Sequence, residues 1–169
     1  MTLSGEHASG APSGGPRWPD AESAHPFYEA ALREARNGLS EGGVPIGAVL
    51  VSQGRLAAAG HNRRVQSGDP TAHAEIECLR HGGRGVDYRD STLISTLAPC
   101  AMCSGAILQF GIPRVLVGEA VTFGGELELL RARGVVVEVL DDARAQELMS
   151  GFVGSNPRLW NEDIGVPDI

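Results

Sequence analysis

The chain has 169 residues, 42% of them hydrophobic, with 21 acidic and 14 basic side chains and a formal charge of −7. That length suits one domain with a core that needs no disulfides, and no run approaches the roughly 18 apolar residues of a bilayer span. The acidic excess weighs against long nucleic acid, whose backbone calls for clustered cations; here every cation is an arginine and they are scattered.

Residues 1–24 are rich in Gly, Ser, Ala and Pro, which predicts a disordered leader before a domain over 25–169. The start lacks a basic segment followed by an apolar one, and three cysteines fit a reducing compartment, so the cytoplasm is expected. Pro26 can open a helix, and Phe27, Ala30, Ala31, Ala35 and Leu39 recur at helical spacing until Gly42-Gly43. Ile46–Val51 and Leu56–His61 predict a hairpin joined at Ser52-Gln53-Gly54-Arg55. Asp69-Pro70-Thr71 is a start signal for a helix carrying His73, Glu75, Ile76 and Leu79. Thr92–Leu97 predicts a buried strand, and Pro99-Cys100 opens a helix running to Phe110-Gly111. Strand Arg114–Val117, helix Glu126–Arg133, strand Val135–Val139 and helix Asp141–Phe152 follow, whereas Ser155–Ile169 has no periodicity. Strands alternating with helices after a hairpin predict an α/β layered domain with a mostly parallel sheet.

His73-Ala74-Glu75 and Pro99-Cys100-Ala101-Met102-Cys103 carry the chemistry. One imidazole and two thiols make a three-ligand zinc set, which leaves a fourth position for water. H-x-E followed by P-C-x-x-C is the pattern of zinc-dependent nucleobase deaminases. Glu75 is then the proton carrier, a general acid/base beside the metal. Residues two apart on a helix point about 200° away from each other. His73 and Glu75 can therefore serve one centre only beyond a helix amino end, where partial positive charge also favours thiolates. Cys78, deeper in the same helix, is expected to be a buried apolar thiol. His7, His25, His61 and His81 have no second ligand at suitable spacing.

From about Pro26 to Gly165 the chain resembles the fungal-type cytosine deaminases of the cytidine deaminase-like superfamily. The likeness rests on the metal motif and on Gly42-Gly43-Val44-Pro45-Ile46-Gly47, Gly60-His61-Asn62, Ser104-Gly105-Ala106-Ile107, Gly111-Ile112-Pro113-Arg114, Val117-Gly118-Glu119 and Trp160-Asn161-Glu162-Asp163-Ile164-Gly165. It implies a three-layer α/β/α sandwich with a five-stranded mixed sheet, one Zn2+ per subunit and a homodimer. It also implies that Asn62 and the Ala74 N–H hydrogen-bond the ring carbonyl edge of a base, that Asp163 accepts from its exocyclic amine, and that Phe123, Trp160 and Ile46 sandwich the ring. Residues 155–169 would close over the pocket. Taken alone, Phe123 and Trp160 would also suit a core, and Asn62 a turn cap. The chain departs from the fungal pattern at Val65, a phenylalanine there, at Ala98, a serine there, and in a shorter segment after Phe123. Such changes in pocket volume and edge bonding redirect substrate choice.

The resulting expectation is a hydrolytic deaminase of a free base, cytosine or a close pyrimidine or s-triazine analogue. The alternatives are a guanine or other purine deaminase, a tRNA adenosine deaminase, a riboflavin-pathway deaminase, and a non-catalytic zinc-containing dimeric binding protein. Retention of Glu75 speaks against the last.

Overall fold

The protein was analysed as a computed structural model that describes residues 21–167. Residues 1–20 of the expected leader lie outside the described residues, while Ala21 already begins the first helix, α1 (Ala21–Ser40). Pro26 therefore sits inside this helix and does not open it. As the sixth residue it lacks the N–H that would bond back to the carbonyl four residues earlier, a loss confined to the first two turns. The buried stripe is Tyr28, Ala31, Leu32 and Ala35, a 3.6-residue repeat, whereas Leu39 is exposed.

Five strands follow: β1 (Gly47–Ser52), β2 (Arg55–His61), β3 (Ser91–Leu97), β4 (Arg114–Glu119) and β5 (Val136–Val139). They form one sheet in the order β2-β1-β3-β4-β5. β1 is antiparallel to both β2 and β3, while β3, β4 and β5 are parallel, so the sheet is mixed. The β1–β2 turn places Gln53 and Gly54 at φ 51° and 71°, the paired left-handed conformation that matches strand twist in two-residue hairpins.

The period-2 alternation of the strands builds two cores. Leu50, Leu93 and Val115 face one side and pack with Cys78, Ile107 and Leu130, from helices α3 (Ala74–Gly82), α4 (Ala101–Phe110) and α5 (Leu127–Ala132). Val49, Ile94 and Leu116 face the other side and pack with Tyr28, Ala31 and Leu32 of α1 and Ala145 of α6 (Ala143–Ser155). The three-layer α/β/α arrangement expected from the resemblance is thus present. α1 lies so close to β1 that a Cβ on Gly47 would collide with the Ala31 carbonyl. Glycine is required there for the approach.

Three local expectations are corrected. Asp69 does not cap α3; its carboxylate accepts from the backbone N and the hydroxyl of Thr71, at 2.8 and 2.7 Å, closing a turn. The helix begins at Ala74 with His73 as its cap. A single helical turn, α2 (Arg64–Ser67), occupies the stretch between the hairpin and Asp69, where the sequence predicts no element. The aperiodic carboxy-terminal stretch contains α7 (Pro157–Asp163), opened by its proline. With seven residues and only Trp160 buried, that helix is too short to leave a repeat in the sequence. Cys78 is fully buried in the core, as expected. Among the described residues, no helix is long and apolar enough to cross a membrane.

Candidate active site

Both halves of the metal motif stand at helix starts. His73 is the cap of α3, with extended backbone (φ −71°, ψ 158°), and Glu75 is the second helical residue. Cys100 caps α4 in the same conformation (φ −70°, ψ 177°), with Cys103 one turn on. A cap residue is freed from helical geometry, so the 200° separation within a helix no longer applies between His73 and Glu75.

His73, Cys100 and Cys103 bring one ligand atom each to within 4.8 Å of one another. Cys100 Sγ lies 3.5 Å from His73 Nδ1. A tetrahedral zinc with nitrogen at about 2.0 Å and sulfur at about 2.3 Å sets such edges near 3.6 Å, so the donor set fits the ion. Electrostatics agree with a cation site. The Cys100 thiol is pulled down to about 4, first by a hydrogen bond from Cys103 and then, against the cost of burial, by His73. Cys103 is pushed up by that same bond, by burial and by Glu75. Burial works against a charged His73, yet Cys100, Asp163 and Glu75 outweigh it and lift its pKa to about 9. A cluster that holds protons on two of three donors and negative charge on the third is one that a cation would deprotonate.

The Glu75 carboxyl is buried, and burial pushes its pKa up from the usual carboxylate range. Its Oε1 accepts a 2.9 Å hydrogen bond from the Ser95 hydroxyl. Ala74 is fully buried as the first residue of α3.

Across from the metal set, α7 supplies Trp160 and Asp163. The Trp160 and Phe123 rings meet edge to face, with centroids 6.1 Å apart. Asp163 accepts a 2.9 Å hydrogen bond from Asn62 Nδ2, and its Oδ1 lies 3.9 Å from His73 Nε2. Burial raises its pKa, opposed by His73 and Asn62. Asn62 is fully buried; its Oδ1 accepts from Arg64 N at 3.1 Å, and its N–H donates to Ile46 O at 2.9 Å. Ile46, His73, Glu75, Cys100, Phe123, Trp160 and Asp163 enclose one cavity of about 20 Å³, smaller than a six-membered ring needs.

The structure thus brings to one cavity Glu75, the metal donors His73 and Cys100, Asp163 and the three residues expected to sandwich a ring, whereas Cys103, Asn62 and Ala74 do not line it. Ala98 lines that cavity. Val65 does not; it stands on α2, partly exposed, so its departure from the fungal pattern changes no cavity wall. The turn Arg64–Ser67 carries it outward.

Two residues escaped the sequence reading. Ser95 lies in a core-facing row between Leu93 and Leu97, and a polar side chain in an apolar row was the available signal. Glu119 is fully buried and its Oε2 accepts from the N–H groups of Val121 and Thr122, at 2.7 and 2.9 Å. Its backbone carbonyl accepts from Ala98 N at 3.0 Å, which ties the loop carrying Phe123 to the segment before Cys100. Gly125, at φ 59°, completes that tie, since a side chain there would meet the Pro99 carbonyl.

A family model of the cytidine and deoxycytidylate deaminase zinc-binding region matches residues 21–119. The chain is 43% identical over 140 residues to a cytosine deaminase from Candida albicans, covering 81% of this chain and 93% of that enzyme. It is 46% identical over 95 residues to a tRNA-specific adenosine deaminase from Haemophilus influenzae, covering 54% of each. A solved guanine deaminase from Nitrosomonas europaea superposes with a TM-score of 0.65 over 91% of this chain and all of its own, at 23% identity, a likeness of fold.

Proposed function

The chain belongs to the cytidine and deoxycytidylate deaminase zinc-binding family, and we propose that it is a zinc-dependent hydrolytic deaminase of a free base, cytosine or a close pyrimidine or s-triazine analogue. The observation that carries the reading is the closure of α7 over the metal-facing groups. Trp160 and Asp163 cap the same small cavity that Glu75, His73 and Cys100 line from below. A cover this close must move aside to admit a ring, and further still to admit an attached ribose. Similarity to the Candida albicans enzyme covers 93% of its length, whereas similarity to the Haemophilus influenzae tRNA deaminase covers 54% of each chain.

Zinc held by His73, Cys100 and Cys103 would supply an acidified water at neutral pH. Glu75 would accept a proton from the attacking water as a carbon–oxygen bond forms at the ring carbon bearing the amine, and would give it to the adjacent ring nitrogen. It then carries the second proton to the amine, the carbon–nitrogen bond breaks, and ammonia leaves. A carboxyl whose pKa is raised by burial suits a group that must both accept and donate near neutrality. Asn62 and Asp163 bond to each other without a ligand, so neither buried group is left unsatisfied. A base would take up that bonding at its edge, with Asp163 accepting from the amine and Asn62 and the Ala74 N–H serving the carbonyl side. Phe123, Trp160 and Ile46 would cover its faces.

The catalytic domain is proposed to span 25–169, with 155–169 opening to admit substrate, and to work in the cytoplasm as a homodimer. Ile76, Leu79, Tyr88 and Phe110 line an open groove with Arg80 and Arg84, a surface suited to a second copy. Ammonia release from a panel of bases and nucleosides tests the activity. Turnover of cytidine with none of any free base would refute it. Light scattering at micromolar protein tests the dimer.

A further inference from the structure

We infer that Ser95 is a positioning residue for the Glu75 carboxylate, its hydroxyl fixing one oxygen of the carboxylate so that the other faces the cavity. The inference rests on the reading of Glu75 as proton carrier.

β3 is the central strand, hydrogen-bonded on one side to β1 and on the other to β4, and all seven of its residues are buried. Ser95 pairs with Ala48 on one side and Val117 on the other. No backbone position in the sheet is more firmly held, since both neighbours are themselves internal strands. By strand alternation Ser95 shares the face of Leu93 and Leu97, which are packed in the core beneath α3 and α4. A hydroxyl in that row costs stability unless it is hydrogen-bonded. Its partner is Glu75 Oε1, at 2.9 Å, with both residues buried.

The neighbouring hydroxyl shows the contrast. Thr96 Oγ1 accepts from Gly47 N at 3.1 Å, a bond that serves only to hold β1 to β3. Ser95 points to the other face, and the acceptor of its hydrogen is a side chain of the cavity. Glu75 has three side-chain torsions; its own backbone N–H and Cys103 also reach the carboxylate, and Ser95 adds the anchor that comes from the sheet. An anchor on a rigid strand removes that freedom before substrate arrives, so the carboxylate need not reorganise during proton transfer.

The test compares zinc-loaded wild type with Ser95→Ala and Ser95→Thr. The alanine variant should keep one zinc per chain, its melting temperature and its KM, while kcat falls about 10- to 100-fold, the usual cost of removing a second-layer partner. Threonine, which retains the hydroxyl, should restore most of the loss. Crystal structures give a readout independent of turnover: the Glu75 carboxylate should leave its wild-type position in the alanine variant and keep it in the threonine variant. An unmoved carboxylate with unchanged kcat in Ser95→Ala overturns the inference. So does a loss of kcat that tracks a fall in melting temperature and is not rescued by threonine. If the wild type itself releases no ammonia from any base, the proposed activity fails, and the carboxylate position alone then decides whether Ser95 holds it.

Discussion

The metal-facing side of the cavity draws on two short stretches of chain, residues 73–75 and 100–103, each at a helix start. The opposite side gathers Phe123, Trp160 and Asp163, with Asn62 bonded to Asp163, from three separate segments, and that bond spans 101 positions. The first side is set by local backbone geometry and holds the groups proposed to move protons and bind a cation. The second is set by long-range packing and holds those proposed to meet the edge and faces of a ligand. Chemistry is thus placed where the fold is hardest to perturb, and selectivity where a small helix can be adjusted.

Removal of metal is the strongest way to break that contrast. Dialysis against a chelator should abolish turnover and zinc alone should restore it, read as ammonia release against metal content. Glu75→Gln should keep zinc at one per chain and lose about 10²- to 10⁴-fold in kcat, the range of a general acid/base. The metal-facing side should also respond to pH. Zinc uptake at neutrality displaces protons from His73, raised to about 9, and from Cys103, also raised, whereas Cys100 at about 4 is already ionised. Affinity should therefore fall as pH falls, by about tenfold per unit for each proton displaced. Chelator competition across neutral pH measures the slope, and a flat profile would contradict the paired protonation.

The ligand-facing side predicts a smaller and different loss. Asn62→Ala removes a buried hydrogen-bond partner of Asp163 and should raise KM roughly 5- to 150-fold, the equivalent of about 1–3 kcal/mol, with zinc content unchanged. Equal loss in Asn62→Ala and Glu75→Gln, confined to kcat in both, would erase the distinction between the two sides. The smallest effect lies away from both. Asp142 caps α6 by accepting from the N–H groups of Arg144 and Ala145, and Asp142→Ala should cost about 1 kcal/mol in a denaturant titration. The Arg144 side chain holds the Asp142 carboxyl below the usual range. Its contribution is present above the ordinary carboxylate pKa and is lost as pH falls through the depressed one.

Much of this was legible beforehand, and unevenly so. The strands of the sheet were readable because Val49, Leu50, Leu93, Ile94, Val115 and Leu116 form short apolar runs between turn residues. The hairpin was readable from Gln53-Gly54. α7 was not, because seven residues with one buried side chain give no period to detect. Asp69 misled for a related reason: an Asp before a helix caps it or closes a turn with equal chemistry, and only the position of Thr71 decides.

The sequence by itself determined the donor set and its reach. A spacing of two leaves His73 and Glu75 no common centre except beyond a helix start, while a spacing of three puts Cys100 and Cys103 on one face, and both constraints act within a single turn of chain. Only the tertiary structure decided which hydroxyl meets Glu75, which loop Glu119 holds, that Val65 faces away from the cavity, and how tightly α7 closes it. Those contacts join segments that meet only after the sheet has stacked its strands, and the approach of two side chains across that distance is set by everything packed between them.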